Sequence, residues 1–231
     1  NRPPLLTPVE DLLDNEERER YVDVMHNLLR QYRESLPPDR RSLIESYRFV
    51  DFARKVVGVG SVGTRAWVAL FVGRDDDDPL VLQVKEAQAS VLEQFLPASQ
   101  YETHGQRVVE GQRLMQAASD ILLGWQQTDG IDGIRRDYFM RQLWDWKASV
   151  EVGLLEPPML ARYGQLCGWT LARAHARSGD RIAIAAYLGN GSSFDGAMAS
   201  FAAAYADQND RDHAELVAAI ADGRLAAEVG I

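Results

Sequence analysis

Three glycines follow the first valine-rich segment of the chain at a spacing that suits phosphate binding. They are Gly58, Gly60 and Gly63, and Ser61 lies among them. Glycine has no Cβ, so its backbone amide can approach a phosphate closely and donate a hydrogen bond to it. Gly58, Gly60, Ser61 and Gly63 are therefore candidate ligands for nucleotide phosphates. The alternative is a glycine-rich hairpin loop that binds nothing.

The residues after the glycines distinguish between known phosphate loops. A dinucleotide-binding loop leads from a strand into a helix, whereas residues 66–72 have the composition of another strand. A P-loop continues with lysine and then serine or threonine, whereas Gly63 is followed here by Thr64 and Arg65. Both interpretations are therefore disfavoured.

A lysine closes the third valine-rich segment, at residues 82–87. The succession of strand, glycine loop, strand and strand bearing Lys85 resembles the nucleotide-binding lobe of the protein-kinase-like fold. The resemblance implies that the loop covers the phosphates of ATP and that Lys85 contacts them. A solvated lysine at a strand end is the alternative interpretation.

The same resemblance implies a glutamate on the next helix that orients the lysine. Glu110 is our candidate, with Glu93 and Glu102 as alternatives. An ordinary helical ion pair with Arg107 or Arg113, each three residues away, would also explain Glu110. Residues 138–144 would then lead to the hinge that meets adenine, with Trp144 and Trp146 as candidate walls of that pocket.

A complete kinase-like site also needs a loop aspartate near the acceptor hydroxyl and two magnesium ligands. Asp180 is the candidate for the first role, and Asn190 and Asp195 are candidates for the second. The spacing fits the catalytic loop of the family poorly, because Asn190 lies too far beyond Asp180. Residues 193–196 are equally typical of a helix cap. We therefore expect little or no turnover of ATP by this chain.

The elements that position these residues follow from the hydrophobic pattern. Residues 7–10 predict a helix start at Thr7, with an amphipathic helix continuing to about residue 37 and a second at 39–47. Five antiparallel strands are predicted at 49–59, 66–73, 80–86, 121–127 and 138–144, with one inserted helix at 104–119. The chain after residue 157 is predicted to be helical. The result is an α+β, kinase-like fold with an N-terminal helical segment at 1–48, a β lobe at 49–147 and a helical lobe at 148–231.

Longer strings give a second resemblance. Residues 55–65, 82–87, 107–113 and 174–180 are similar to a bacterial family of conserved proteins of unknown function. The resemblance implies that longer members carry an upstream segment with histidine, asparagine and aspartates like those of small-molecule kinases. The chain is then expected to be the C-terminal portion of a longer member. A missing N-terminal segment of the same protein is therefore an expected partner.

Composition narrows the function further. A net charge of −9 would repel a nucleic-acid backbone, and the single Cys167 can form no intrachain disulfide. No apolar run approaches the length of a membrane span, so the chain is predicted to be cytoplasmic. The sequence thus predicts an ATP- and magnesium-binding domain, with phosphoryl transfer to a small molecule in complete members. A non-catalytic nucleotide-binding or regulatory domain, or a helical interaction domain, is the alternative.

Overall fold

The computed structural model of the chain describes residues 6–12, 14–56, 61, 63–130, 132–143 and 149–227. The chain divides into two compact units, residues 1–174 and 175–231. Six α-helices and one antiparallel sheet lie in the described ranges. The predicted α+β class with an antiparallel sheet is therefore confirmed.

Six strands form the sheet, not the predicted five. They are β1 (Leu6–Pro8), β2 (Arg48–Lys55), β3 (Ala66–Val72), β4 (Pro79–Ala87), β5 (Gly124–Asp129) and β6 (Arg135–Gln142). Their order across the sheet is β1-β2-β3-β4-β6-β5, and each neighbouring pair is antiparallel.

The additional strand lies where the sequence predicted the first helix to start. Thr7 pairs with Arg54 of β2, and Pro8 has extended backbone angles, φ −55° and ψ 148°. The first helix, α1 (Asn15–Tyr32), begins further along, where the Asp14 carboxylate accepts a hydrogen bond from the Glu17 amide at 2.9 Å. The helix start predicted at Thr7 is therefore wrong, because Asp14 and not Thr7 caps the first turn.

Helix α1 covers one face of the sheet. Leu28 and Tyr32 on this helix are fully buried, and they belong to a core that includes Leu82 and Met140 from the sheet. The Tyr32 hydroxyl donates a hydrogen bond to the Leu122 carbonyl. A second helix, α2 (Pro38–Glu45), follows, and its Ile44 completes this core.

Helix α3 (His104–Met115) is the helix predicted between the third and fourth strands of the original five. It packs against β4, β5 and β6. Gly105 and Val109, one turn apart, are its buried residues, so this side of the helix faces the sheet.

The acidic run at residues 75–78 forms the turn between β3 and β4. The Asp78 amide donates to the Asp75 carbonyl at 3.0 Å, and the Gly73 amide donates to the Asp78 carbonyl at 2.9 Å. The Asp75 side chain accepts from the Asp77 amide at 3.2 Å. Asp75, Asp76 and Asp77 are exposed, so the acidic run is a solvated hairpin tip.

The rest of the described chain is mostly helical, as predicted. Its helices are α4 (Pro157–Ser178), α5 (Arg181–Leu188) and α6 (Ser193–Ala221). Many of their large side chains are exposed, among them Trp169, Tyr187 and Phe201. Among the described residues, these and the earlier helices include none with the length and apolar character of a membrane span.

Candidate functional site

The glycine-rich segment connects β2 with β3, as the sequence predicted. Gly58 and Gly60 lie outside the described residues, whereas Ser61, Gly63 and Thr64 at the end of the segment lie within them. There the Thr64 amide and hydroxyl both donate to the Ser61 carbonyl, at 3.1 and 2.8 Å. Gly63 has a φ of +81°, a conformation that favours glycine. This turn leads directly into strand β3, so the helix expected after a dinucleotide loop or a P-loop does not follow.

Lys85 lies near the end of β4, directly across from Ala66 of β3 and Phe139 of β6. Its side chain is half-buried. Directly opposed residues in a sheet share a face, and successive residues in a strand alternate between faces. Val84 belongs to the core under α1, so Lys85 points to the opposite face.

Helix α3 covers the face to which Lys85 points. Phe139 is directly across from Trp125 of β5, so Lys85, Phe139 and Trp125 form one row. The guanidinium of Arg113 on α3 lies 5.6 Å from the centre of the Trp125 ring, a cation–π arrangement. The loop end, the lysine strand and the glutamate-bearing helix therefore occur together in one unit.

Glu110 is half-buried on α3 and forms an ion pair with Arg113. Its carboxylate accepts a hydrogen bond from Arg113 at 2.8 Å, and Arg113 also donates to the Leu123 carbonyl at 2.7 Å. This is the helical ion pair that the sequence left open as an alternative. Of the other candidates, Glu93 lies 4.0 Å from Arg107, and Glu102 is exposed just before the helix.

The start of α3 is fixed by a buried carboxylate that sequence reasoning missed. Asp137 on β6 is 8% exposed, and it accepts hydrogen bonds from the His104 amide and the Gln127 side chain, both at 2.6 Å. The hydrogen bond from the His104 amide satisfies a donor of the first helical turn, so it anchors α3 to the sheet. An acid within a strand, across from Gln127, was the available signal.

A second missed cluster contains two arginines and two acids next to the glycine-rich segment. Arg65 contacts the Glu86 carboxylate at 3.3 Å and the Asp132 carboxylate at 3.8 Å. Arg136 donates to both Asp132 oxygens, at 2.8 and 2.7 Å. These hydrogen bonds hold the pKa of Asp132 well below its ordinary value.

The residues predicted for catalysis and magnesium lie in the second unit. Asp180 is the cap of α5, where one carboxylate oxygen accepts from the Ile182 and Ala183 amides at 2.9 and 3.1 Å. Asn190 is exposed between α5 and α6, and Asp195 is exposed in the first turn of α6. Within the described ranges, no three histidine, cysteine, aspartate or glutamate side chains are grouped so that they could hold a metal ion.

Trp144 and Trp146, the predicted walls of an adenine pocket, lie outside the described residues. The last described strand, β6, ends just before them at Gln142. Their role therefore stays a prediction.

The described residues thus define an α+β protein with an antiparallel sheet that carries a helix on each face. The profile of a protein family described as "Uncharacterized protein conserved in bacteria (DUF2252)" matches residues 1–219. The chain belongs to this family, as the long sequence strings indicated. Neither the curated proteins nor the solved structures contain a match.

Proposed function

We propose that this chain is a kinase-like domain that binds ATP with magnesium. The observation that carries the proposal is that Lys85 lies on the face of the sheet covered by α3. In protein kinases a glycine-rich loop covers the phosphates, a lysine on the third strand contacts them and a glutamate on the following helix orients that lysine. Here the segment with Gly58, Gly60, Ser61 and Gly63, then Lys85, then Glu110 follow in the same order along the chain.

The chemistry of these groups suits a nucleoside triphosphate. Backbone amides of the glycine-rich segment donate to phosphate oxygens, and the Lys85 ammonium adds a charge-assisted contact. A net charge of −9 makes a local cation important, because the chain as a whole repels an anion. In the proposal magnesium would arrive with the nucleotide and would offset the negative charge of its phosphates.

Phosphoryl transfer to a small-molecule hydroxyl is the activity that we propose for complete members of the family. Asp180, with Asn190 and Asp195 as magnesium ligands, stays the predicted catalytic set. A nucleotide-binding domain without turnover is the second candidate, and one observation favours it. The Asp180 carboxylate oxygen that accepts two amide hydrogen bonds is already used to cap α5.

Thermal unfolding with nucleotides tests the proposal. A ligand that binds only the folded chain raises its Tm, and a concentration of one hundred times Kd adds roughly 2.7 kcal/mol of stability. We expect ATP with magnesium to raise the Tm, adenosine to raise it less and inorganic phosphate to leave it unchanged. No shift with ATP at millimolar concentration would instead favour an interaction domain whose glycine hairpin is structural.

A further inference from the structure

A pocket of about 480 Å³ lies beside α1, on the face of the sheet opposite to Lys85. This volume is within the usual range for small-molecule sites. Val9, Met25 and Trp67 supply apolar wall, and Gly63 and Thr64 form part of its rim. We call this cavity the α1 pocket.

The register of the sheet places the α1 pocket on the opposite face from the proposed nucleotide site. Trp67 lies directly across from Val84, which belongs to the core under α1. Lys85 is the next residue of the same strand and points the other way. Lys85 and Glu110 therefore do not line the α1 pocket, and Gly63 is the proposed nucleotide ligand that its described lining does include.

Among the described lining residues of the α1 pocket, positive side chains outnumber negative ones. Its described lining contains three arginines, Arg54, Arg65 and Arg136, and one acid, Asp132. Arg136 is engaged with Asp132 through two hydrogen bonds, and Arg65 is shared between Asp132 and Glu86. With Glu86 included, the cluster carries three positive and two negative charges.

Arg54 is the arginine of this pocket whose positive charge is not neutralised by an ion pair with a described residue. It is exposed, and its side chain forms no ion pair with any of the described residues. It projects from β2 beside Trp67, its direct partner on β3. The guanidinium can bind an anionic group of a ligand, and the indole and the apolar wall can pack against the apolar part of the same ligand.

Tyr21 supplies an independent sign that a ligand is accommodated here. Its side chain lines the α1 pocket and is 8% exposed, yet its hydroxyl has no hydrogen-bond partner among the described residues. Buried polar groups normally have a partner, so an unpaired hydroxyl in a pocket wall points to a missing acceptor. Tyr21, Arg54 and Arg65 all line this one pocket. Burial raises the pKa of Tyr21, so at neutral pH its hydroxyl is protonated and can donate.

We propose that the α1 pocket binds a small organic acid, a monocarboxylate carried on an aromatic or aliphatic body. Arg54 and Arg65 face the carboxylate, the Tyr21 hydroxyl donates to it, and Trp67 and Met25 pack against the body. A single negative charge matches the surplus of one positive charge in the cluster. A doubly charged phosphate ester would be repelled by Asp132 and Glu86 and is disfavoured.

Calorimetric titration of 2-naphthoate and octanoate into the whole chain tests this proposal. At least one of the two should bind saturably, and the neutral 2-naphthalenemethanol should bind at least roughly tenfold more weakly than 2-naphthoate. Because hydrogen bonds to charged groups are the stronger class, Arg54→Met should weaken the carboxylate by roughly tenfold to a hundredfold. Tyr21→Phe should weaken it by roughly three- to tenfold while leaving the Tm equal or higher, because the hydroxyl has no internal partner to lose.

Matched controls separate this site from the nucleotide site. Arg74→Met removes an exposed arginine at the β3–β4 turn and should leave carboxylate affinity unchanged, and Lys85→Ala should do the same. Failure of both acids to bind would overturn the proposal, as would equal affinities for the wild type, Arg54→Met and Tyr21→Phe. Competition between ATP and 2-naphthoate would also overturn it, because the nucleotide would then occupy this pocket.

Discussion

Lys85 and Glu86 are neighbours on β4 that point to opposite faces of the sheet. Lys85 lies in the row of Phe139 and Trp125, under α3. Glu86 points to the other face, across from Tyr138, where its carboxylate lies 3.3 Å from Arg65. The end of one strand therefore serves two separate clusters, and substitutions at the two positions should have different effects.

Replacement of Lys85 by alanine should weaken ATP binding by roughly tenfold to a hundredfold, because a charge-assisted contact contributes about 1.5–3 kcal/mol. Adenosine, which has no phosphates, should lose much less affinity. Calorimetric titration of both ligands into the wild type and Lys85→Ala measures the difference.

Arg74→Ala is the matched control for this comparison. It removes an exposed cation from the turn at the opposite end of β4 and should bind ATP like the wild type. Equal ATP affinities for the wild type and Lys85→Ala, with unchanged circular dichroism, would show that Lys85 is a half-buried residue near the end of a strand that does not contact the nucleotide.

We expect little or no release of ADP when the chain is incubated with ATP and magnesium. The reason is the poor fit of Asp180, Asn190 and Asp195 to a catalytic loop, together with the capping role of Asp180. A coupled assay for ADP measures the rate. Asparagine caps a helix about as well as aspartate, so Asp180→Asn should keep α5 folded. A robust magnesium-dependent rate that disappears in Asp180→Asn would prove this expectation wrong.

Gly105→Ala should destabilise the first unit by about 1–3 kcal/mol, the usual cost of overpacking. A Cβ at this position would lie 2.5 Å from the Tyr138 carbonyl oxygen and 3.1 Å from the Trp125 Cβ, so α3 would have to move away from the sheet. Urea unfolding measures the loss.

Gly111→Ala on the same helix is its control. Apart from its chain neighbours and the backbone of the same helix, no described atom lies within 4 Å of a Cβ built there, so alanine should stabilise the chain by about 0.5–1 kcal/mol through helix propensity alone. If both variants lost stability equally, the close contact of Gly105 with β6 would not be the cause.

The ion pairs of Asp132 predict a stability difference that depends on pH. Hydrogen bonds from Arg136 lower the pKa of Asp132 in the folded chain, relative to about 3.9 in an unfolded chain. The resulting stabilisation is fully present above the unfolded pKa and is lost as the pH falls through the lower, folded pKa. The wild type should therefore have a higher Tm than Asp132→Asn near pH 6, and the difference should shrink below about pH 4.

Asp76→Asn is a suitable comparison for the pH series, because Asp76 is an exposed acid at the β3–β4 turn. The Tm of Asp76→Asn should equal that of the wild type at every pH. A difference between Asp132→Asn and the wild type that stayed constant down to pH 2 would show that the carboxylate charge is not responsible.

The central strands and α3 could be predicted because their signals are local. Valine-rich runs such as 66–72 and 80–86 fall within β3 and β4, and residues 104–119 contain α3. The observed boundaries of β5 and β6 differ from the predicted ones by about two to three residues. The turn that contains Gly130 and Gly133 is shorter than the sequence predicted, so both strands continue closer to it. Gly133, with a φ of +70°, lies in the tight turn that joins these strands.

The clusters beside the sheet could not be predicted, because they depend on pairing between distant parts of the chain. Arg65 and Glu86 are 21 residues apart and meet only because β3 and β4 are antiparallel. The α1 pocket depends further on the strand at Leu6–Pro8 and on α1, and the first of these was predicted as a helix. The pattern of threonine, proline and an acid at residues 7–10 is typical of a helix start. It does not show that the edge of β2 can form backbone hydrogen bonds with the same residues and hold them as a strand.

Strand β1 also affects how this sheet meets other chains. An open strand edge offers unpaired amides and carbonyls that can recruit strands from other molecules and start aggregation. Here three residues of β1 cover Ala53, Arg54 and Lys55, and Pro8 cannot donate a hydrogen bond outward. The uncovered remainder of β2 contains an irregularity between Phe49 and Asp51 and exposed charges at Arg48 and Asp51. The edge of the sheet formed by β1 and β2 is thus poorly suited to the addition of a strand from another chain.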